Sequence, residues 1–324
     1  MRLSAYSTIF TQLARFSLFH TPSPSFITWS LSNKCNLKCS YCAIANELRP
    51  CEELSRSDLL KLQDFWINLG TRFISITGGE PLLSDNIDVF IDNASKKGVL
   101  LSINTNGIFA SDYIDLLKKC NEVNISLDGP KNLNSFRNLD YEYENILKSI
   151  MALRDVVKLK ISVTINKENS KHLEEIVKWG MELKTPLRFQ PVYEFEGCTN
   201  SKSYLLSDNE TLAAINDLIR LKSQKKYRKY IANSISDFYF WKEQFSNKIV
   251  PNCHGGLLFL RVEPDGSLKI CGRQDATIPF NNVFKYSWKE ISEKLASGKK
   301  ECRICTASSV ARLNRCVKIF RCGI

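Results

Sequence analysis

Short apolar runs alternate with amphipathic segments along the chain from residue 26 onward. Runs rich in β-branched and aromatic residues predict six strands: FITWSLS (26–32), RFISIT (72–77), VLLSINTNG (99–107), EVNISLDG (122–129), KLKISVTIN (158–166) and PLRFQPV (186–192). Between them, apolar residues recur at helical spacing in the segments 55–70, 85–98, 111–120, 141–154 and 170–184. Strands that alternate with helices predict an α/β fold with a parallel sheet and right-handed crossovers.

The number of strands limits the architecture. Six strands cannot close a barrel of eight, so we expect either an open, partial barrel or a doubly wound sheet. In both architectures, active-site residues gather at the carboxyl ends of the strands. Four polar or glycine-rich stretches follow predicted strands: CNLKCSYC (35–42), GGEP (78–81), NTNG (104–107) and SLDG (126–129). These stretches are therefore predicted to meet at one rim.

The chain on either side of this unit follows a different pattern. Apolar residues at near-helical spacing predict an amphipathic helix in an N-terminal extension, residues 1–24, which packs on its own domain or lies on a membrane surface. We assign the strand-and-helix unit to residues 25–205 and a helical linker to 206–250. In 251–324, the tripeptide Pro264-Asp265-Gly266 joins two β-rich runs, which predicts a hairpin in a small, cysteine-rich α+β domain.

Composition changes this picture in two ways. Forty-five basic residues against thirty-four acidic ones give a net charge of +11, which fits either a lysine-rich surface or an anionic partner. No nucleic-acid partner is expected, because the densest basic stretch, 221–230, ends a predicted helix. The chain has twelve cysteines but no signal-peptide pattern and no apolar run long enough to span a membrane. This combination favours metal chemistry in a reducing cytoplasm over a disulfide scaffold.

Three cysteines stand close together in the sequence, and their spacing is three residues and then two: Cys35, Cys39 and Cys42. Structural metal sites are usually closed by four ligands, whereas three ligands leave an open position that suits catalysis. Three thiolates fit a cubane 4Fe–4S cluster with one iron free to bind a chelating ligand. The alternative is a zinc knuckle closed by Cys51 or His20, but neither has standard zinc spacing, and zinc leaves GGEP without a role.

This pattern resembles the radical S-adenosylmethionine (radical SAM) superfamily over residues 26–192. The family's C-x3-C-x2-C signature follows the first strand and has an aromatic residue before its last cysteine, as Tyr41 is here. GGEP, TNG and SLDGP also stand where the family has them. The resemblance implies a partial (β/α)6 barrel and SAM as a cofactor. It also implies a reaction in which one electron cleaves SAM to a 5′-deoxyadenosyl radical, which abstracts a hydrogen atom.

The same resemblance implies the site residues. Cys35, Cys39 and Cys42 are predicted to ligate the SAM-binding cluster. Residues predicted to bind SAM are Gly78, Gly79, Glu80 and Pro81 at the methionine end, Tyr41 near adenine, Asn104 and Ser126 near the ribose or carboxylate, and Arg137 as a partner of the carboxylate. Catalytic or substrate contacts are predicted at or just past the sixth strand, at Arg188, Gln190, Tyr193 and Glu194.

A second set of cysteines lies near the C-terminus. Two of them bracket the predicted hairpin and two form a CxxC after it: Cys253, Cys271, Cys302 and Cys305. The layout resembles the SPASM domain of radical SAM enzymes, or its shortened twitch form, and this implies one auxiliary 4Fe–4S cluster with four cysteine ligands. Cys316 and Cys322 stand further along the chain than the full SPASM pattern requires, and their role stays open.

The function that these features predict is that of a radical SAM enzyme. It abstracts a hydrogen atom from a small-molecule or lipid-like substrate, and the auxiliary cluster takes up an electron in an oxidation. Modification of a peptide, by crosslinking or formylglycine formation, is the alternative within the superfamily. A zinc or iron–sulfur regulator without catalytic activity is the alternative outside it. The expected partners are the substrate and an electron donor such as flavodoxin or ferredoxin, and a membrane surface is a further candidate.

Overall fold

The computed structural model describes residues 2–42, 44, 52–139, 141–192, 201–247, 253–272, 277–299, 305, 313 and 317. Strands occupy all six predicted positions: β1 (Phe26–Ser30), β2 (Phe73–Thr77), β3 (Leu100–Thr105), β4 (Glu122–Ser126), β5 (Leu159–Ile165) and β6 (Leu187–Pro191). Neighbouring strands pair in parallel, in the spatial order β6-β5-β4-β3-β2-β1. The predicted α/β fold with a parallel sheet is confirmed, and the carboxyl ends of these strands lie at one edge.

Helices connect consecutive strands and cover one face of the sheet. Their bounds in the described chain are α1 (Arg2–Phe19), α2 (Arg56–Asn68), α3 (Ile87–Lys96), α4 (Ile114–Leu117), α5 (Glu142–Leu153), α6 (Leu173–Glu182), α7 (Ser201–Tyr204), α8 (Asp208–Ser223), α9 (Ile235–Asn247), α10 (Phe280–Val283) and α11 (Trp288–Ser297). Ser55 caps α2, as its spacing predicts, because its hydroxyl accepts the backbone N–H of Asp58 at 3.2 Å.

The segment 111–120 differs from the single helix that we predicted. It forms a 3₁₀ turn, Ala110–Tyr113, followed by the single turn of α4. The chain must then enter β4, because Asn121 is already bonded to β3. Its N–H donates to the carbonyl of Leu101 at 2.7 Å, and its side-chain oxygen accepts the N–H of Leu101 at 2.8 Å. These two bonds leave no room for a longer helix.

The two faces of the sheet differ in polarity. Side chains alternate along each strand, and the apolar set packs with the helices in one core, for example Trp29 of β1 against Phe90 of α3. The opposite set, which we call the inner face, contains many polar residues: Thr28, Ser30, Ser75, Thr77, Ser102, Asn104, Asn124, Ser126, Ser162, Thr164 and Gln190. Parallel sheets usually carry apolar residues on both faces, because helices cover both. The polarity of the inner face therefore suits a polar ligand, as the interior of a partial barrel does.

The predicted C-terminal hairpin joins this same sheet. β7 (Phe259–Val262) pairs in parallel with β1, and β8 (Leu268–Lys269) and β9 (Thr277–Ile278) follow in antiparallel order. In the described part of the chain, the sheet therefore has nine strands. The ladder between β1 and β7 therefore joins the hairpin to the strands of the barrel. A C-terminal domain over residues 251–324 remains a prediction.

The N-terminal helix α1 packs against the strand edge where β1 and β7 begin. Leu13 and Phe16 are buried against Leu258, which directly precedes β7. The hydroxyl of Ser17 donates to the carbonyl of Val317 at 2.8 Å. One face of α1 is thus packed on its own protein. Within the described residues, none of the helices combines the length and the apolar character that crossing a membrane requires.

Replacement of Leu260 tests whether the hairpin and the barrel unfold together. Leu260 of β7 is buried in the main core, so we expect Leu260→Ala to lower the free energy of unfolding by about 2–5 kcal/mol. Far-UV circular dichroism and tryptophan fluorescence should report one coincident denaturant transition with a lower midpoint. Leu62→Ala in α2 is the matched control and should shift the same transition. Two transitions, of which Leu260→Ala moves just one, would contradict a single cooperative unit.

Candidate active site

The three clustered cysteines lie in the irregular loop that follows β1. Cys35, Cys39 and Cys42 are free thiols, and each is partly buried. Burial raises the pKa of Cys35 and raises the pKa of Cys39 to about 12, and repulsion between neighbouring thiolates acts in the same direction. Metals bind the thiolate and not the thiol. Cys35 and Cys39 therefore need a positively charged partner before they lose their protons.

The donor set fits an iron–sulfur cluster better than a single metal ion. Among the residues that the structure describes, no three His, Cys, Asp or Glu side chains are gathered for one metal ion. In a cubane cluster each thiolate binds a different iron, so the sulfurs stand further apart than they do around one zinc. Three soft thiol ligands without a histidine or carboxylate also match the usual ligands of 4Fe–4S clusters.

Two glycines at the end of β2 hold the cysteine loop against the sheet. The N–H of Gly79 donates to the carbonyl of Ser32, and the N–H of Glu80 donates to the carbonyl of Lys34, both at 2.8 Å. A Cβ atom on Gly78 would lie 2.3 Å from the carbonyl oxygen of Ser32, and one on Gly79 would lie 2.3 Å from that of Lys34. Gly78 also has a φ of 141°, which other residues rarely adopt. Glycine at both positions is what allows this close approach.

Glu80 ties the ends of β2 and β3 together. Its buried carboxylate accepts the N–H of Leu82 at 3.0 Å and that of Asn106 at 2.6 Å. It also accepts the hydroxyl of Thr105 at 2.7 Å, and the Asn106 side chain donates onward to Asn36 in the cysteine loop at 2.8 Å. Burial raises the pKa of Glu80, and these hydrogen bonds offset part of that rise. A direct contact between Glu80 and SAM remains a prediction.

Arg137 and Tyr41 meet at a buried carboxylate. The guanidinium donates to both oxygens of Asp128, from Nε at 2.8 Å and from Nη2 at 3.0 Å. The Tyr41 hydroxyl donates to the same carboxylate at 2.7 Å, and burial raises the pKa of Tyr41, so the hydroxyl stays protonated. The contacts predicted for Arg137 with the SAM carboxylate and for Tyr41 with adenine remain predictions. The partner that the structure shows for both residues is Asp128.

The other predicted SAM contacts lie at the same edge of the sheet. Pro81 is buried and begins a 3₁₀ turn directly after Glu80. Asn104 near the end of β3 donates to the hydroxyl of Ser75 at 3.2 Å. Ser126 ends β4 and is in register with Ser162 of β5. The structure thus brings these residues to the strand ends near the cysteine loop, as expected, while their contacts with SAM remain predictions.

Charged side chains stand among the polar residues of the inner face. Glu122 of β4 lies 2.5 Å from the ammonium group of Lys160 on β5 and 3.7 Å from the guanidinium of Arg188 on β6. Burial alone raises the pKa of Glu122, but its hydrogen bond with Lys160 and these positive charges outweigh burial and hold that pKa below its usual range. Arg188 and Gln190, both predicted substrate contacts, therefore lie on the inner face.

A second charged group lies on the C-terminal strands of the sheet. Arg261 of β7 donates to Glu263 at 2.8 Å, and the ammonium group of Lys269 on β8 lies 3.7 Å from the same carboxylate. Arg261 is in register with Thr28 of the inner face and with Lys269. The two remaining predicted substrate contacts, Tyr193 and Glu194, lie outside the described residues.

A comparison with known families identifies the fold and its chemistry. The model of the Radical SAM superfamily matches residues 29–180. That stretch contains the cysteine loop, both glycine contacts and the Asp128–Arg137 pair. Residues 29–180 form a radical SAM domain. Enzymes of this superfamily use a 4Fe–4S cluster and SAM, so the predicted cofactors are those of its family, and the chain is an enzyme.

Curated relatives share this radical SAM region at low identity. Molybdenum cofactor biosynthesis protein 1 of Dictyostelium discoideum is 28% identical over 79% of this chain and 43% of its own length. GTP 3′,8-cyclase of Thermodesulfovibrio yellowstonii is 26% identical over 83% of this chain and 89% of its own length. GTP 3′,8-cyclase of Helicobacter pylori is 31% identical over 62% of this chain and 65% of its own length. The chain thus spans less than half of the first of these relatives.

Solved structures of radical SAM enzymes share the fold. Streptococcus suis SuiB bound to S-adenosylmethionine superposes with a TM-score of 0.70 and 17% identity, over 94% of this chain and 77% of SuiB. The structure of anSMEcpe with bound AdoMet superposes with a TM-score of 0.65 and 17% identity, over 93% of this chain and 94% of anSMEcpe. At this identity the likeness concerns the fold alone.

The C-terminal cysteines of this radical SAM enzyme flank the hairpin. Cys253 precedes β7, and Cys271 follows β8. The backbone N–H of Cys305 donates to the side chain of Gln244 on α9 at 2.7 Å. Outside the described residues lie Cys302, Cys316 and Cys322. An auxiliary cluster held by Cys253, Cys271, Cys302 and Cys305 therefore remains a prediction.

Several residues of the radical SAM site were not among the sequence predictions. Asp128 belongs to the SLDG motif, but the motif alone does not show that its carboxylate pairs with Arg137. The charges of Glu122 and Lys160 fall within runs that were predicted to be strands. Such charges are the signal that could have identified the inner face, because strands covered on both sides carry almost continuous apolar runs.

Replacement of Gly79 tests the contact between the strand end and the cysteine loop. In Gly79→Ala the new Cβ would collide with the Lys34 carbonyl, so the loop must move. We expect a cost of about 1–3 kcal/mol in unfolding free energy. We also expect loss of iron from the SAM-binding site, measured as iron per chain together with 5′-deoxyadenosine formation. Ser84→Ala, which adds no atoms near the loop, is the control. Full iron content and wild-type cleavage in Gly79→Ala would contradict this role.

Proposed function

We propose that this radical SAM enzyme acts on a small, polar, anionic molecule bound against the inner face. When bound, the cluster and SAM supply a 5′-deoxyadenosyl radical, which removes a hydrogen atom from the substrate. The chain's own residues hold cofactor and substrate in line and exclude water. The observation that carries the proposal is the charge of the inner face and of the strands that continue it. Lys160 and Arg188 stand near the amino ends of β5 and β6, whereas Arg261 stands near the carboxyl end of β7. In the described chain, Glu122 forms ion pairs with three cations, one of them the exposed Lys158, and Glu263 forms ion pairs with two.

The arrangement of these charges favours an anionic substrate. Lys158, Lys160 and Arg188 all lie near Glu122, so two positive charges exceed what that carboxylate neutralises. Arg261 and Lys269 lie near Glu263, which leaves one positive charge in excess there. Partly buried cations interact more strongly with an anion than exposed ones, because water screens them less. The net charge of +11 would add long-range attraction for the same substrate.

Buried polar atoms favour a polar substrate over a lipid-like one. Within the described structure, the side-chain oxygens of Asn124 and Ser30 are buried and have no hydrogen-bond partner. Both residues belong to the inner face. A buried polar group without a partner is costly, so these two oxygens are suited to a ligand or water that bonds with them. An acyl chain would leave both unsatisfied.

The names of the curated relatives agree with this charge argument. Two of the relatives described above are called GTP 3′,8-cyclase, a name that refers to an anionic nucleotide. The low identity does not extend that particular substrate to this chain. It supports the broader class, a small molecule that carries negative charge. Peptide modification, the alternative predicted from sequence, has no contact of the described residues in its favour.

Oxidation of the substrate requires somewhere for an electron to go. We propose that Cys253, Cys271, Cys302 and Cys305 hold an auxiliary 4Fe–4S cluster, which supplies that acceptor when bound. Four ligands would close this cluster, in contrast to the three-cysteine site. The electron that starts the reaction would come from a donor such as flavodoxin or ferredoxin in a reducing cytoplasm, where thiol ligands stay reduced.

Separate replacements in the two cysteine sets test this division of roles. After anaerobic reconstitution, we expect about eight irons per chain, because two cubane clusters contain four each. With dithionite and SAM, the wild type should form 5′-deoxyadenosine. Cys39→Ala should abolish cleavage, because it removes a ligand of the SAM-binding cluster. Cys253→Ala should retain cleavage and lose the oxidised product. Bound zinc without SAM cleavage, or equal loss of cleavage in both variants, would contradict the proposal.

The substrate class is tested with metabolite fractions. Small molecules from a cell extract are separated by anion exchange, and each fraction is assayed for stimulated 5′-deoxyadenosine formation. We expect the activity in retained, anionic fractions. With the active fraction, Arg188→Gln should raise KM by about tenfold or more, the loss expected for one charge-assisted hydrogen bond, and leave substrate-independent SAM cleavage unchanged. The control is Lys118→Gln, which deletes an exposed positive charge directly after α4. Stimulation of 5′-deoxyadenosine formation by unretained, peptide or lipid fractions alone would contradict the proposal.

A further inference from the structure

We infer that Asp128 is a positioning residue of the cluster site: through Arg137 and Tyr41, it holds the Cys39 side of the cysteine loop in the shape that accepts the SAM-binding cluster and SAM. The inference rests on the chemistry of the superfamily. It is independent of the substrate proposed above, because none of the contacts that it uses involves Lys160, Arg188, Arg261 or Lys269.

Asp128 lies at the centre of a buried set of hydrogen bonds. Its Oδ2 accepts the Tyr41 hydroxyl at 2.7 Å and Nε of Arg137 at 2.8 Å. Its Oδ1 accepts Nη2 of Arg137 at 3.0 Å and the backbone N–H of Thr164 on β5 at 2.8 Å. The side chains of Arg137 and Asp128 are only 6% and 1% exposed. The carboxylate thus joins the loop after β1, the end of β4 and strand β5.

The backbone of Arg137 and of its two neighbours connects this set of hydrogen bonds to the cysteine loop. It ends the 3₁₀ turn Ser135–Arg137, and its carbonyl lies 3.8 Å from the sulfur of Cys39, which is placed to donate to it. One residue earlier, the carbonyl of Phe136 accepts the N–H of Ser40 at 2.7 Å. One residue later, the Asn138 side chain donates to the carbonyl of Lys38 at 2.6 Å. The hydrogen bonds of Phe136 and Asn138 therefore hold the loop on either side of Cys39, and they do not depend on the thiol proton that Cys39 loses when it binds iron.

Tyr41 gives the loop a second attachment to the same carboxylate. Its ring lies 5.5 Å from the guanidinium carbon of Arg137, a cation–π distance. The ring also packs edge-on against Tyr204, whose centroid is 6.0 Å away. Tyr41 immediately precedes Cys42, so the direction of its side chain is coupled to the path of the loop between Cys39 and Cys42. The hydroxyl bond to Asp128 therefore fixes a ring on the segment that joins two cluster ligands.

Charge, and not just shape, is required at position 128. A buried guanidinium is costly unless it is paired, and Asp128 is the carboxylate that pairs with Arg137. Asparagine at this position has the same shape but one oxygen and no charge, so it cannot accept from Arg137 at both ends and from Tyr41 as well. The Arg137 turn would then move towards water and release the loop on the Cys39 side.

The experiment uses the reconstituted full-length enzyme with both cluster sites loaded. For Asp128→Asn we expect the Kd for SAM to rise about tenfold. We also expect a smaller SAM-induced change in the electron paramagnetic resonance spectrum of the reduced cluster, because an altered loop presents the open iron differently. Signals of the reduced enzyme that do not respond to SAM should keep their wild-type shape. These readouts follow the SAM site and do not depend on turnover.

Two further variants separate positioning from general stability. Asp237→Asn removes another fully buried carboxylate, one that accepts the N–H of Ser234 at 2.9 Å near the start of α9. It should lower the melting temperature and leave the Kd for SAM unchanged. Tyr41→Phe removes just the hydroxyl that donates to Asp128, so it should raise the Kd by about threefold. Combined with Asp128→Asn, it should add nothing, because both changes break the same attachment.

The inference is overturned if Asp128→Asn melts earlier but keeps the wild-type Kd and the wild-type spectral response to SAM. It is also overturned if the effects of Asp128→Asn and Tyr41→Phe on the Kd simply add. Asp128→Asn could retain too little cluster for its Kd for SAM to be measured, while Asp237→Asn retains all of its cluster. The test of the inference is then the Kd for SAM of Tyr41→Phe. An unchanged Kd for SAM in that variant then refutes the attachment through Asp128.

Discussion

The contact between the end of β2 and the cysteine loop is the constraint on which the rest of the site depends. At Gly78 and Gly79 the backbone approaches the carbonyls of Ser32 and Lys34 so closely that a methyl group would not fit. Two hydrogen bonds of 2.8 Å form across this approach. The cysteine loop therefore rests on the rigid edge of a parallel sheet, and the sheet transmits its geometry to the thiols. Glu80 extends the same support to β3, and Asp128 provides it from β4 and β5.

The polar inner face is the second consequence of this architecture. A parallel sheet gains most of its stability by burying apolar side chains, and here one face alone does so. The other face buries hydroxyls, amides and ion pairs, which contribute little net stability even when they are well paired. Two buried oxygens, on Ser30 and Asn124, have no partner in the described structure. The sheet thus gives up stability along the surface that would receive a polar ligand.

Local patterns predicted the strands and the motifs at their ends, because alternation, caps and glycine turns depend on neighbours in the sequence. Contacts between distant residues were not predictable in this way. Asp128 bonds with Tyr41 across 87 residues and with Thr164 across 36, and no local pattern encodes either distance. Likewise, the local pattern predicts β7 as a strand of a hairpin. Its parallel pairing with β1 joins residues that are far apart in the sequence, so no local pattern could predict it. Charges within predicted strands were a signal of the inner face. The structure was needed to show which of its residues lie side by side on neighbouring strands.

The pKa values of the loop thiols show why neighbouring residues, and not the metal, must shape the site. Burial raises the pKa of Cys35 and Cys39, so these two side chains are neutral thiols before a cluster binds. Neutral thiols have little attraction for one another, and mutual repulsion would follow if they ionised together. The loop keeps its shape because the Gly79 contact holds one side and the turn anchored by Asp128 holds the other. A loop that is ordered in advance does not lose further conformational entropy when a cluster binds. Three cysteine ligands would then leave the fourth iron open for chemistry.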